Sequence, residues 1–161
     1  MNLLTKSVAV LSAVFLLSAC DSMSDSTSGQ EGTGGMSASN ATPGSQEDLA
    51  QNVGDRVFFD YDSSVITMEG QQTLERQAEW LKQYGDMNVT VEGHCDERGT
   101  REYNLALGER RASAVKKYLM GLGIAASRIS TISYGKERPA VIGSDSSAWA
   151  QNRRGVTVLG N

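Results

Sequence analysis

His94-Cys95-Asp96-Glu97-Arg98-Gly99-Thr100-Arg101 is the densest group of reactive side chains in this sequence. Three chemistries fit its composition. A Cys–His nucleophile pair needs thiol and imidazole to face each other. Adjacent residues of an extended chain point to opposite sides, and His94 is the only histidine available. A metal centre needs converging ligands, which contiguous residues without a spaced His or Cys pair rarely provide. Neither catalysis nor a metal nor a cofactor is therefore expected. The third chemistry is non-covalent, with Asp96 accepting hydrogen bonds from a ligand ammonium.

A basic counterpart, Arg111, follows fifteen residues later. At about 100° per helical residue, Leu107, Ala114, Val115, Tyr118 and Leu122 fall in one apolar arc. Arg111 sits near the middle of that arc, Asn104 lies on it, and Arg110 points away. A guanidinium centred on an apolar stripe needs an anion partner or a wet cleft. Two readings stay open. Arg111 packs its stem on a sheet and pairs with a nearby Asp, or it lines a pocket and holds a ligand carboxylate through its planar fork. In the second reading Asp96 and Arg111 together recognise a zwitterion, such as the head of an amino acid.

Such a pair needs a scaffold that brings a loop against a helix face. From about Val53 onward the pattern alternates. Segments 56–60, 88–93, 128–134 and 155–159 are rich in β-branched or aromatic residues and read as strands. Thr67 is the predicted N-cap of a helix running to about Tyr84, with a Leu74, Ala78, Leu81 stripe and Gly85 as its stop. A second helix is predicted from Arg101 to about Leu122, and a short one over 147–152. This βαβαββ-type order predicts an α+β fold, a two-layer sandwich with helices on one face of a mixed sheet. The polar loop then follows the second strand directly, where α/β sheets commonly place ligands.

The termini have their own logic. Met1–Lys6 is a basic start, and SVAVLSAVFLLSA is an apolar run of about a dozen residues, too short to span a bilayer. It ends in Leu17-Ser18-Ala19-Cys20, a pattern that lipoprotein signal peptidases accept. Residues 1–19 are therefore expected to be a signal peptide, and Cys20 the lipidated first residue of the mature chain. Each buried acyl methylene contributes about 0.8 kcal/mol, so several chains anchor stably where one does not. In residues 21–49, fifteen of 29 are Ser, Gly or Thr, and none is Val, Ile, Phe, Tyr or Trp. That composition predicts a flexible tether of roughly 30 Å span, with the folded domain covering residues 50–161. Cys95 has no cysteine partner left, so the fold must stand without a disulfide. The 161 residues carry a formal charge of −4, but from Ala50 onward 14 basic residues balance 14 acidic ones. A neutral head speaks against nucleic acid as a partner.

The stretch VEGHCDERGTREYNLALGERRASAVKKYL, with NVGDRVFFDYDSS before it and ISYGKERPA and QNRRGVTV after it, resembles the peptidoglycan-associated lipoproteins of the OmpA-like C-terminal domain superfamily. The likeness covers residues 52–159 nearly continuously, and the lipobox and tether match the family's layout. It implies an OmpA-like domain that binds peptidoglycan without covalent chemistry, at the meso-diaminopimelate of the stem peptide, whose side-chain end is a zwitterion. By motif position it implies that Asp96 meets the ammonium and Arg111 the carboxylate, with Asp60, Asn104 and Leu107 lining the same pocket. Arg153 and Arg154 match an NRR motif of structural or functional use, and His94 orients the loop or simply packs. The resemblance also implies TolB and other Tol proteins as partners, and a lipid-anchored place in the inner leaflet of the outer membrane, facing the periplasm. Two features depart from the pattern. Cys95 stands where such loops usually carry a small residue, and Asp21 follows Cys20, which in enterobacterial lipoproteins commonly signals retention at the inner membrane. A module that mainly binds other envelope proteins is the alternative function.

Overall fold

The structure, a computed structural model, describes residues 41–160; the expected signal peptide, Cys20 and residues 21–40 of the expected tether lie outside the described residues. A helical turn α1 (Gln46–Asp48) runs on into a wider π turn (Leu49–Val53). Then come β1 (Arg56–Phe58), α2 (Met68–Gln83), β2 (Val89–His94), α3 (Arg101–Gly121), a 3-10 turn (Ala126–Arg128), β3 (Ile129–Gly135), α4 (Ser146–Asn152) and β4 (Arg154–Leu159). The four strands form one sheet in the order β1-β4-β2-β3. β4 runs antiparallel to both its neighbours, and β2 pairs with β3 in parallel, which is the mixed sheet expected.

Helices α2 and α3 cover one face of that sheet. Val57, Val89, Val91 and Ile129 from the strands meet Leu74, Ala78 and Leu81 of α2 and Ala112, Val115 and Leu119 of α3 in a single core. Both helices start where a side chain satisfies an orphan amide: Thr67 accepts from the Gly70 amide at 3.1 Å, and Thr100 from the Tyr103 amide at 3.2 Å. A buried polar pair locks α2 to the sheet. The Gln77 amide group donates to the Gly54 carbonyl at 2.6 Å and accepts from the Thr157 hydroxyl at 2.8 Å. Among the described residues no helix is long and apolar enough to cross a membrane.

Three expectations change. The buried face of α3 is Asn104, Leu107, Gly108, Arg111, Ala112, Val115 and Leu119, whereas Ala114, Tyr118 and Leu122 are only half-buried. The helix is turned toward its small residues because it touches β2 backbone to backbone: a Cβ on Gly93 would lie 1.8 Å from the Gly108 carbonyl oxygen. The first strand stops at Phe58 rather than Asp60. Beyond it the chain bends through Asp62, the one non-glycine with positive φ (53°) among the described residues. Finally, the last residues of the expected tether are part of the folded head. Ser45 caps α1, and Leu49 is fully buried in the core. The Trp80 indole donates to Asp48 at 2.9 Å, and the Gln46 side-chain Oε1 accepts from the Leu159 amide at 2.8 Å. One buried leucine and three polar contacts supply what the composition of the segment as a whole does not.

Candidate functional site

The loop after β2, the start of α3, the β1–α2 loop and the residue before β4 enclose a cavity of about 360 Å³. Asp96, Asn104, Leu107 and Arg111 all line it, together with Tyr61, Asp62 and Arg98. Four of the five residues expected at the site are thus brought together. Asp60 is not on this wall: it lies in a neighbouring concavity with Phe58 and Met68, and serves the site through its main-chain carbonyl.

That carbonyl is one of three that hold Arg111. The fully buried guanidinium donates to the carbonyls of Ser63 (2.8 Å), His94 (2.8 Å) and Asp60 (3.1 Å), and stands 5.1 Å from the centre of the Phe59 ring. Among the described residues no carboxylate forms an ion pair with it. Burial, and then the charge of Arg153 nearby, pull its pKa below the ordinary arginine value. The three carbonyls are neutral, so they fix the plane of the guanidinium without cancelling its charge. Arg111 therefore presents a fixed positive charge to the cavity.

Asp96 is 4% exposed and faces basic groups. Arg98 donates to both of its oxygens, Nε to Oδ1 at 3.1 Å and Nη2 to Oδ2 at 2.5 Å, while Arg153 Nη1 lies 3.5 Å from Oδ2. Burial alone would raise the pKa of this carboxyl, but the hydrogen bonds from Arg98 and the charges beside it win and hold it below the ordinary value. Asp96 is thus an ionised acceptor. The Arg98 guanidinium in turn sits 4.1 Å from the ring centres of both Tyr61 and Trp149. Asn104 shapes the loop, its amide donating to the carbonyls of Arg98 (2.8 Å) and Thr100 (3.1 Å), and Leu107 supplies an apolar wall. Arg98, Tyr61, Asp62 and Trp149 were not among the expected site residues, and Arg153 entered only through the NRR motif, of structural or functional use. Most stand inside the segments that carry the family likeness, but only the tertiary fold shows which of them meet.

Cys95 and His94 part company, as alternation along an extended chain requires. The Cys95 thiol faces the Asn104 carbonyl at 3.3 Å, and burial pushes its pKa up. The His94 ring lies by Glu92, with Nε2 3.2 Å from Oε2, and 5.5 Å from the Tyr134 ring. Among the described residues no three His, Cys, Asp or Glu side chains are grouped to hold a metal ion.

A small four-stranded mixed sheet with two covering helices, and an acid–base pair at the strand ends, defines a recognisable class. The chain belongs to the OmpA family, whose family model matches residues 58–153. Within it the chain is similar to the peptidoglycan-associated lipoproteins. It is 60% identical to that of Agrobacterium fabrum over 134 residues, 83% of this chain and 75% of the relative. It is 51% identical to that of Mesorhizobium japonicum over 97% of this chain and 94% of the relative. The crystal structure of the peptidoglycan-associated lipoprotein from Burkholderia pseudomallei aligns with a TM-score of 0.65 at 38% identity, covering 70% of this chain and all (100%) of that one. The C-terminal domain of Helicobacter pylori MotB shares the fold, with a TM-score of 0.62 at 22% identity over 66% of this chain and 84% of that one.

Proposed function

We propose that this protein is a lipid-anchored envelope protein that holds peptidoglycan non-covalently, reading the zwitterionic end of meso-diaminopimelate in the stem peptide with Asp96 and Arg111. The observation that carries this reading is the pair itself: an ionised, buried carboxylate and a fixed guanidinium line one cavity large enough for an amino-acid head. The ligand ammonium lies toward Asp96 and its carboxylate toward Arg111, with Leu107 against the methylenes. The neutrality of residues 50–161 suits a ligand without net charge. No bond of the wall is made or broken. The relatives' names, peptidoglycan-associated lipoprotein, support the wall as ligand and a lipid as anchor. Lipid on Cys20, a place in the inner leaflet of the outer membrane, and TolB with other Tol proteins as partners belong to the same proposal.

The test is co-sedimentation of the full chain with purified sacculi, with free meso-diaminopimelate as competitor. Retention that the free amino acid reverses is the expected result, and Asp96→Asn is expected to lose at least tenfold in retention, one buried charge-assisted pair being worth a factor of about ten or more. Asp96 is the better probe than Arg111, whose removal also strips three carbonyls of their donor. Failure of the folded wild-type chain to sediment would overturn the reading and favour a module for other envelope proteins.

A further inference from the structure

The free protein already contains a cation in the place where the ligand's ammonium is to go. We propose that Arg98 is a built-in stand-in for that ammonium, closing the site until the ligand displaces it, so that this side chain sets the apparent affinity. The inference rests on the zwitterion reading above and extends it to the regulation of the same site.

Three observations carry it. First, both Asp96 oxygens are taken by one guanidinium that reaches back from only two residues away. With the Arg98 main-chain amide on Oδ1 and Arg153 on Oδ2 as well, each oxygen already has two donors, the usual capacity of a carboxylate, so a ligand cation must exchange with part of this arrangement.

Second, the two arginines on Asp96 are not equally free to leave. Arg153 is 16% exposed at its side chain and also donates to the Phe59 carbonyl at 2.9 Å, which ties it to the strand β1 end. Arg98 is 31% exposed, and its guanidinium makes hydrogen bonds to Asp96 alone among the described residues. Its main chain is held separately: the Arg98 amide donates to Asp96 Oδ1 at 3.1 Å, its carbonyl accepts from Asn104, and Lys136 Nζ bonds the carbonyls of Glu97 and Gly99 on either side. The side chain can therefore swing out by rotation about its own bonds while the loop stays in place.

Third, the position Arg98 vacates is built for a cation of any kind. Tyr61 and Trp149 stand with their ring centres 4.1 Å from the guanidinium carbon, above a carboxylate. Aromatic faces around an anion form a box that attracts ammonium and guanidinium groups alike. The Trp149 indole is itself held by Glu97 at 3.1 Å, which fixes this wall of the box.

The consequence is arithmetical. If the competent form is a fraction f of the free protein, the apparent dissociation constant is the intrinsic one divided by f. A closed form favoured about ten to one weakens binding about tenfold. Titration calorimetry of the full chain with free meso-diaminopimelate reads this directly. Arg98→Gln is expected to bind about tenfold tighter than wild type, because Arg153 is then the one cation left on Asp96, beside the main-chain amide of residue 98. Arg98→Lys, which keeps the charge but loses the fork and the planar stacking, is expected to fall between the two. A thermal melt of each variant without ligand shows that it is folded; if Arg98→Gln does not fold, Arg98→Lys carries the comparison. Binding by the variants that equals or falls below a measurable wild-type affinity overturns the gate and leaves the zwitterion site standing. Binding by Arg98→Gln where wild type shows none supports both. No binding by any of the folded proteins removes the zwitterion reading, and the gate with it.

Discussion

His94 carries a second ionisable load one residue from the site. Its ring is buried, and its carbonyl is one of the three that hold Arg111. Burial first, and then the charges of Arg154, Arg138 and Arg56, push its pKa down to about 4 from the ordinary 6.5. Between those values the unfolded chain binds the proton and the folded one does not. The stability this contributes is thus fully present above pH 6.5 and is lost as pH falls through about 4. A loss on the order of 3 kcal/mol over that window is expected in denaturant melts. Removing the group with His94→Gln should flatten this part of the profile; an unchanged slope would show that other groups set it. At this scale the sequence was informative about charges and silent about their neighbours. Asp96 and Arg111 stood out because a loop acid and a misplaced helix base are visible in one dimension. Arg98 did not, because its partners Tyr61 and Trp149 come from two distant segments, and a charge in a polar loop ordinarily faces water.

The elements were legible where their ends are local events. Thr67 caps α2 as predicted, and α3 starts at the predicted Arg101 with Thr100 as its cap, since a cap needs only the amides of the next turn. The rotation of α3 was not legible, because it depends on where another element lets the helix approach. Gly93 and Gly108 set that approach, and through it the depth at which Arg111 enters the site. Gly93→Ala places a methyl group into the Gly108 carbonyl, and a flexible neighbour cannot absorb the overlap because the atom is backbone. A destabilisation of about 3 kcal/mol is expected. The altered helix position should also lower retention on sacculi in whatever fraction remains folded. A chemical-denaturation curve with an unshifted midpoint would show that α3 and β2 are less tightly coupled than their contact implies.

For the molecule as a whole, the head begins earlier than the composition predicts, with Ser45 capping α1 and Leu49 in the core. A stretch that is polar on average can still end in a residue the core requires, and averages over 29 positions conceal one Leu49. Leu49→Ala is expected to lower stability by about 3 kcal/mol, which for a domain of this size moves Tm by on the order of 10 °C. A melt within a degree or two of wild type would mean that α1 frays without consequence for the rest. The same turn also decides how a pull on the chain is carried. Gln46 grips β4 near its far end, at Leu159, whereas Arg153 and the loop after β2 place the cavity at the opposite ends of these two antiparallel strands. A tension entering from the N-terminal side and leaving through a bound ligand runs along the strand axis for about 20 Å. It then loads the rungs between β4 and β2 together, in shear, instead of peeling them apart one after another. A head arranged this way can be tugged from both ends while its site keeps its shape.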